Sequence, residues 1–402
     1  MKRKVCIFIK GVTLCLGMLF FWGCTEDKDA DVDVHVGGTR LHLVAFPQSF
    51  YDVTPLQTRA LPAGYVTYET LTPHVDMNHV QIQAYMTGCK DDDNKNDDVI
   101  FSSIFALQEE DEGGEKKYSW SSTTPTIEPG DYYIYGFMPA EDADHVSIAP
   151  YKKESEAVAD YKDGATLTIS GLSAVTPSDV CVIVGVKGVT KNTEAPLPSI
   201  ENVDIRLGEF AFPCDATQKE SYVYLLLEHL YAGLRFNFSV DSGYDKLRTI
   251  KLKSMTLKAD QGNQTTVATV KATIHVKAIS NSNNTVSPLA GVEWEPETYS
   301  ASSTPAALYQ GNEKTLTTTP QEFLACFAPK TNSEFELETV YNVYDKDENL
   351  IREDCTAKNR ISVSVDQMKS GEIHSVNIVV MPTYLYVLSE PDLDNPTIIR
   401  IE

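Results

Sequence analysis

Short stretches such as "HVQIQAYM", "ATLTISGL", "LRFNFSV", "TVKATIHVKAI" and "HSVNIVVM" alternate apolar and polar residues, and stretches like them recur from residue 39 onward. A period of two places every second side chain on one face of a strand, whereas a helix needs a period near 3.6. "TRLHLVAF", "DYYIYGFM", "DVCVIVGV", "VDIRLGEFAF", "TIKLKSMTLKA" and "EFELETVYNVY" belong to the same set. Between them lie turn-forming clusters, among them "CKDDDNKNDD", "EEDEGGEKK", "SNSNN" and "YDKDEN". No long helical pattern intervenes, so the expected class is all-β, built as antiparallel β-sandwiches. One segment, "ESYVYLLLEHLYAGLRFNFSV", breaks the rhythm. It reads as an apolar run, a short helical turn through Glu228–Ala232, and then a strand. At 402 residues the chain has room for two domains, and this segment places their boundary near the middle. No repeat of fixed period is visible, which argues against a solenoid or propeller.

Hydrophobic residues at 42% fit a folded chain, not a disordered one. A net charge of −23 argues against nucleic acid and against anionic lipid, both of which need a basic face.

The N-terminus carries Lys2, Arg3 and Lys4 ahead of an apolar stretch, Gly11–Trp22. That stretch is too short to span a bilayer and suits the core of a signal peptide. It stops at Gly23–Cys24, which looks like a lipobox, where the new N-terminal cysteine is acylated; Trp22 departs from the small or β-branched residue of that pattern. Ordinary secretory cleavage near this point is the competing reading, and both export the chain. Residues 1–23 are therefore expected to be a lipoprotein signal peptide and Cys24 the lipidation site, anchoring the precursor in the outer membrane. Residues 24–36, acidic and polar, read as a flexible tether. Loss of residues 1–23 removes four basic and no acidic residues, taking the charge from −23 to −27.

A search for chemistry is mostly negative. Beyond Cys6, Cys15 and Cys24, the cysteines Cys89, Cys181, Cys214, Cys326 and Cys355 are odd in number, widely spaced and without a CxxC pair. That is neither a disulfide framework nor a zinc pattern, and buried free thiols are expected. No HExxH, GxSxG, GxGxxG or GxxxxGK[ST] motif occurs, so no catalytic residue, no metal ligand and no cofactor is assigned. A Cys–His pair that meets only in space has no local signature and stays open. "KDDDNKNDD", Lys90–Asp98, offers oxygens at alternate positions, but Lys95 interrupts the spacing and Asn96 stands where a calcium loop needs glycine; it reads as a hairpin loop.

Three stretches together resemble the fimbrillin-like family, the pilus subunits of Bacteroides-type bacteria. They are "IEPGDYYIYGFMPA" (Ile127–Ala140), "LLLEHLYAGLRFNFSV" (Leu225–Val240, with Gly233 where a larger residue is common) and "SGEIHSVNIVV" (Ser370–Val380). The resemblance implies two tandem transthyretin-like antiparallel β-sandwich domains, here 37–222 and 223–381, with a C-terminal strand appendage, 382–402. It also implies polymerisation by strand exchange. A protease cuts after an arginine, the first strand leaves, and a strand from a neighbouring subunit fills the groove. The partners implied are other pilus subunits and a host or bacterial surface ligand, and the place is the outer membrane, then a surface fimbrium.

Parts for each step are present. "RLHLVAF", Arg40–Phe46, is the expected removable first strand, with Leu41, Leu43 and Ala45 on one face. The loop after it carries three prolines and Arg59–Ala60, the expected processing site; an ordinary loop arginine is the alternative. In the tail, Tyr384, Tyr386 and Leu388 share one strand face, and Ile399 and Ile401 another. These are the expected donor strands, their alternative being completion of the second sandwich in cis. Tip or base-anchor subunits, and a monomeric surface lipoprotein binding glycan or host protein, remain as other readings.

Overall fold

Alternating side chains let a strand bury one face, and twenty strands form among the described residues. The computed structural model describes residues 40–48, 65, 80–88, 101–122, 127, 129–191, 203–214, 220–259, 269–279, 286–297, 305–329, 334–362 and 369–381. All of them fall in the unit Gly37–Glu402.

The larger sheet runs β1 (Arg40–Pro47), β11 (Glu220–His229), β9 (Cys181–Lys191), β5 (Gly130–Met138), β2 (Gln81–Gly88), β3 (Phe101–Glu112), β4 (Glu115–Ser122), with β10 (Ala211–Cys214) along the start of β5. A four-stranded sheet packs on it, in the order β15 (Leu289–Pro296), β14 (Thr269–Lys277), β7 (Gly164–Ser173), β6 (His145–Pro150). Ile82, Met86 and Ile134 of the first sheet share a core with Leu167, Ile169 and Ile274 of the second. A second sandwich sets β20 (Ile373–Val380), β12 (Ala232–Val240), β17 (Gln321–Phe327) and β8 (Val175–Thr176) against β16 (Ala306–Leu316), β13 (Thr249–Ala259), β18 (Glu334–Tyr344) and β19 (Leu350–Ser362). Its core holds Phe236, Phe327, Leu257 and Phe335.

The molecule is all-β, and its pairs are antiparallel with two exceptions. β1 runs parallel to β11, and β20 runs parallel to β12. The β3–β4 hairpin turns on Gly113 and Gly114, with φ of 69° and 95°, which is the positive-φ pair that a two-residue turn matched to strand twist requires.

The two sandwiches exchange strands. β8 comes from the first half of the chain yet pairs with β17, Cys326 opposite Thr176. The β14–β15 hairpin follows β13 yet pairs with β7, Ile274 opposite Leu167. The division read from the sequence at 222/223 falls inside β11.

Two local expectations are corrected. No helical turn forms at Glu228–Ala232: β11 runs to His229, Leu230 and Tyr231 make a short break, and β12 starts at Ala232. Leu225, Leu226, Leu227, Leu230 and Tyr231 are all fully buried, so this apolar run is a strand covered on both faces, not a helical stripe. Val203–Phe210, read as a strand, is irregular. It buries Val203, Ile205 and Leu207 against Val184, Tyr224 and Leu226, and it hooks onto β9 by Gly208 N to Val184 O (2.8 Å) and Val186 N to Glu209 O (2.7 Å). Gly208 sits at φ +77°, where a Cβ would meet Ile279 at 2.7 Å, so the segment bends there and cannot continue as a strand.

Candidate functional site

The site is the seat of the first strand. β1 is an edge strand with one neighbour among the described residues, and every residue from Arg40 to Pro47 is in register with Glu220 to Leu227 of β11. Leu41, Leu43 and Ala45 face Ser221, Val223 and Leu225, and all three are buried in the main core. The outer face is covered as well: His42 stacks on Tyr222 at 4.8 Å between centroids, and Phe46 lies over Tyr224 at 6.2 Å. Burying a Leu or Phe side chain is worth roughly 1.5–3 kcal/mol, so Leu41, Leu43 and Phe46 hold the strand mainly by apolar burial.

A polar network fastens its C-terminal end. Gln48 N donates to Leu227 O at 2.8 Å, and Gln48 O accepts from His229 Nε2, also at 2.8 Å. Gln48 also bridges to Tyr65. The Tyr65 hydroxyl donates to Glu228 Oε1 at 2.8 Å, while Ser287 Oγ donates to Glu228 Oε2 at 2.6 Å. Burial, then the Glu228 carboxylate, pushes the Tyr65 phenol well above its ordinary value, which keeps it a donor. His229 reaches Asp179 through Nδ1, and the Cys181 thiol donates to the same carboxylate at 3.3 Å. Burial, then Asp179, raises the thiol well above its usual value, so Cys181 is a neutral thiol. Asp142 is pushed up to about 6 by burial, then by Glu141 and Asp179.

The opposite edge of the β11–β12 ribbon is built alike but filled less. β20 pairs with β12 from Gly233 to Val240, and Val376, Ile378 and Val380 are only half-buried against the second core. Val379 and Met381 are exposed. A cleft of about 180 Å³ opens beside this strand, lined by Phe238, Leu252, Leu316, Tyr341, Ile378 and Val380.

Of the residues singled out in the sequence, Leu41, Leu43 and Ala45 lie together on β1. Cys24, Arg59, Ala60, the Lys90–Asp98 loop and the tail residues Tyr384, Tyr386, Leu388, Ile399 and Ile401 lie outside the described residues. Cys181, Cys214 and Cys326 are buried free thiols and Cys355 is a half-buried one. The sequence reading missed Tyr65, Glu228, His229, Asp179 and Cys181 as a group. Their partners are separated by up to 181 positions, and the available signal was the pair Glu228–His229, two polar residues between Leu227 and Leu230 in an apolar run.

No family model matches the chain, and no curated protein does. Solved structures do. A "putative cell adhesion protein" from Bacteroides fragilis is 11% identical at a TM-score of 0.38, covering 86% of this chain and 94% of its own. A fimbrial protein from Bacteroides vulgatus is 12% identical at 0.32, covering 85% and 95%. A fimbrial protein from Bacteroides ovatus is 12% identical at 0.31, covering 85% of this chain and 48% of its own. None of the three is named as an enzyme. Their TM-scores lie below 0.5, so the functional reading rests on the residues and strand order of this chain.

Proposed function

We propose that this protein is a structural subunit of a cell-surface pilus, exported as a lipoprotein through Cys24 and assembled by strand exchange. The observation that carries the reading is β1: an edge strand with a single described neighbour that nevertheless supplies Leu41, Leu43 and Ala45 to the core. Cleavage after Arg59 frees such a strand without cutting the sheet behind it. Its departure uncovers the free edge of β11 and the apolar side chains Val223 and Leu225, and both call for a replacement strand with alternating apolar residues. A donor restores the main-chain bonds one for one, so the exchange is nearly neutral in hydrogen bonds. The tail, with Tyr384, Tyr386, Leu388, Ile399 and Ile401, is the donor for the next subunit. Adhesion is the biological outcome.

A base-anchor subunit is the second reading, favoured by the buried network that fastens Gln48 to His229. Such a subunit keeps its lipid and its first strand. N-terminal sequencing of protein recovered from the cell surface, beside a denaturing gel run without boiling, separates the two. A start at Ala60 with a heat-sensitive ladder supports the exchanged subunit, and deletion of residues 382–402 then abolishes the ladder. A single band starting at acylated Cys24 supports the anchor. A ladder that survives the deletion overturns the donor role of the tail.

A further inference from the structure

We infer that Asp179, Cys181 and His229 form a binding site for one divalent transition-metal ion of the zinc class. Asp179 Oδ2, Cys181 Sγ and His229 Nδ1 converge within 4.8 Å of one another, on β9, the turn before it and the end of β11. The thiol sulfur lies 3.3 Å from the carboxylate oxygen and 3.4 Å from the ring nitrogen. Zinc bonds of about 2.3 Å to sulfur and about 2.0 Å to nitrogen or oxygen set neighbouring tetrahedral ligands roughly 3.2–3.6 Å apart, so two of the three ligand pairs already stand at ligand spacing. The third pair, carboxylate to imidazole, opens when Asp179 turns outward, which its 21% side-chain exposure allows.

The tautomer of His229 is what makes this a metal site and not a chance cluster. Gln48 O is a carbonyl and can only accept, so Nε2 carries a hydrogen. That leaves Nδ1 with a lone pair in the neutral ring, and the lone pair faces the Asp179 carboxylate. The ring lone pair and the carboxylate oxygen therefore aim at a common point beside the Cys181 sulfur, the arrangement that a metal ion bridges. A backbone carbonyl receiving the far N–H of a histidine is also the outer-shell arrangement that orients ring ligands toward metals. A separate observation points the same way. Asp179 Oδ1 is buried with no hydrogen-bond partner, a cost that bidentate or alternate coordination removes. Glu228 is not part of the donor set, since both of its oxygens are held by Tyr65 and Ser287. A thiolate, an imidazole and a carboxylate together suit zinc over calcium or magnesium.

Binding balances as an exchange. The Cys181 thiol proton leaves to solvent as its sulfur becomes a thiolate ligand, and one M²⁺ gains nitrogen, sulfur and oxygen ligands. The fourth position is left for water.

Cobalt(II) is the probe. The full soluble chain, residues 25–402, is titrated with Co²⁺ under reducing conditions, with wild type beside Cys181→Ser, Asp179→Asn and the control Cys326→Ser. The expected result is a sulfur-to-cobalt charge-transfer band saturating at one ion per chain. The band is lost in Cys181→Ser, at least tenfold weaker in affinity in Asp179→Asn, and retained in Cys326→Ser. Calorimetry in buffers of different ionisation enthalpy should return proton release on binding, as loss of the Cys181 thiol proton requires. A band absent from wild type, or one that persists in Cys181→Ser, overturns the proposal. Should Cys181→Ser fail to fold, X-ray absorption of zinc-loaded wild type decides: one sulfur neighbour supports the site, and a shell of nitrogen and oxygen alone refutes it. The outcome is independent of whether the chain polymerises.

Discussion

The two parallel edges of this molecule, β1 on β11 and β20 on β12, have the same construction and opposite finish. Each is an outermost strand laid parallel to one half of a ribbon that runs almost unbroken from Glu220 to Val240. Yet β1 is buried on its inward face, stacked by aromatics on its outward face and fastened at Gln48. β20 is half-buried at best, ends on exposed Val379 and Met381, and borders an open cleft of mixed polarity. Topology therefore does not decide how firmly an edge strand is held. Core depth and polar fastening do, and of these two edges β1 has more of both.

The largest effect that sharpens this contrast is expected from the cores. Leu43→Ala removes a side chain that is 3% exposed and should cost about 2–5 kcal/mol in denaturant unfolding. Ile378→Ala, at the matching inward position of β20, should cost clearly less because its side chain is only half-buried. Equal costs for the two would break the comparison. Next comes the fastening: Tyr65→Phe strips Glu228 of a buried donor and should cost about 1–3 kcal/mol, with faster amide exchange at Gln48 and unchanged exchange across β20. Val379→Thr, on the exposed face of β20, should stay within about 0.5 kcal/mol by thermal unfolding.

The smallest effect concerns acid. The Asn349 side-chain and backbone donors, then the Asp347 amide, hold the Asp345 carboxylate below its usual 3.8 in the turn joining β18 to β19. A depressed carboxylate contributes stability above its unfolded value and loses it as pH falls through the folded one. Protection factors of the Asp347 and Asn349 amides, corrected for intrinsic exchange, should therefore stay constant above about pH 4 and fall below it, with those of β1 unchanged over the first part of that fall.

Much of this was legible in the residues. Alternation or a continuous apolar run located β1, β2, β5, β7, β9, β12, β13, β14, β18 and β20, because each turns at least one face toward a core. Short or polar strands were not legible. β19, "LIREDCTAKNRIS", is largely exposed and carries no apolar stripe, and β8 is two residues long. The irregular 203–210 segment imitated a strand because it too buries alternate residues, and only the positive φ of Gly208 separates the cases. Strand order was invisible, since neighbours in a sheet are chosen by long-range fit. The Asp179–Cys181–His229 cluster was equally hidden, with its histidine 48 positions beyond its cysteine.

The strand exchange between the sandwiches also sets a timetable for the chain. β7 waits for β14 to pair with its open edge, and β14 begins at Thr269. A chain emerging from its N-terminus therefore holds β1 through β13 before the second sheet of its first sandwich can close. Ordinary multidomain chains fold one unit at a time as they are made. This one cannot: its first half stays unfinished, with an apolar edge showing, until nearly three-quarters of the sequence has been delivered.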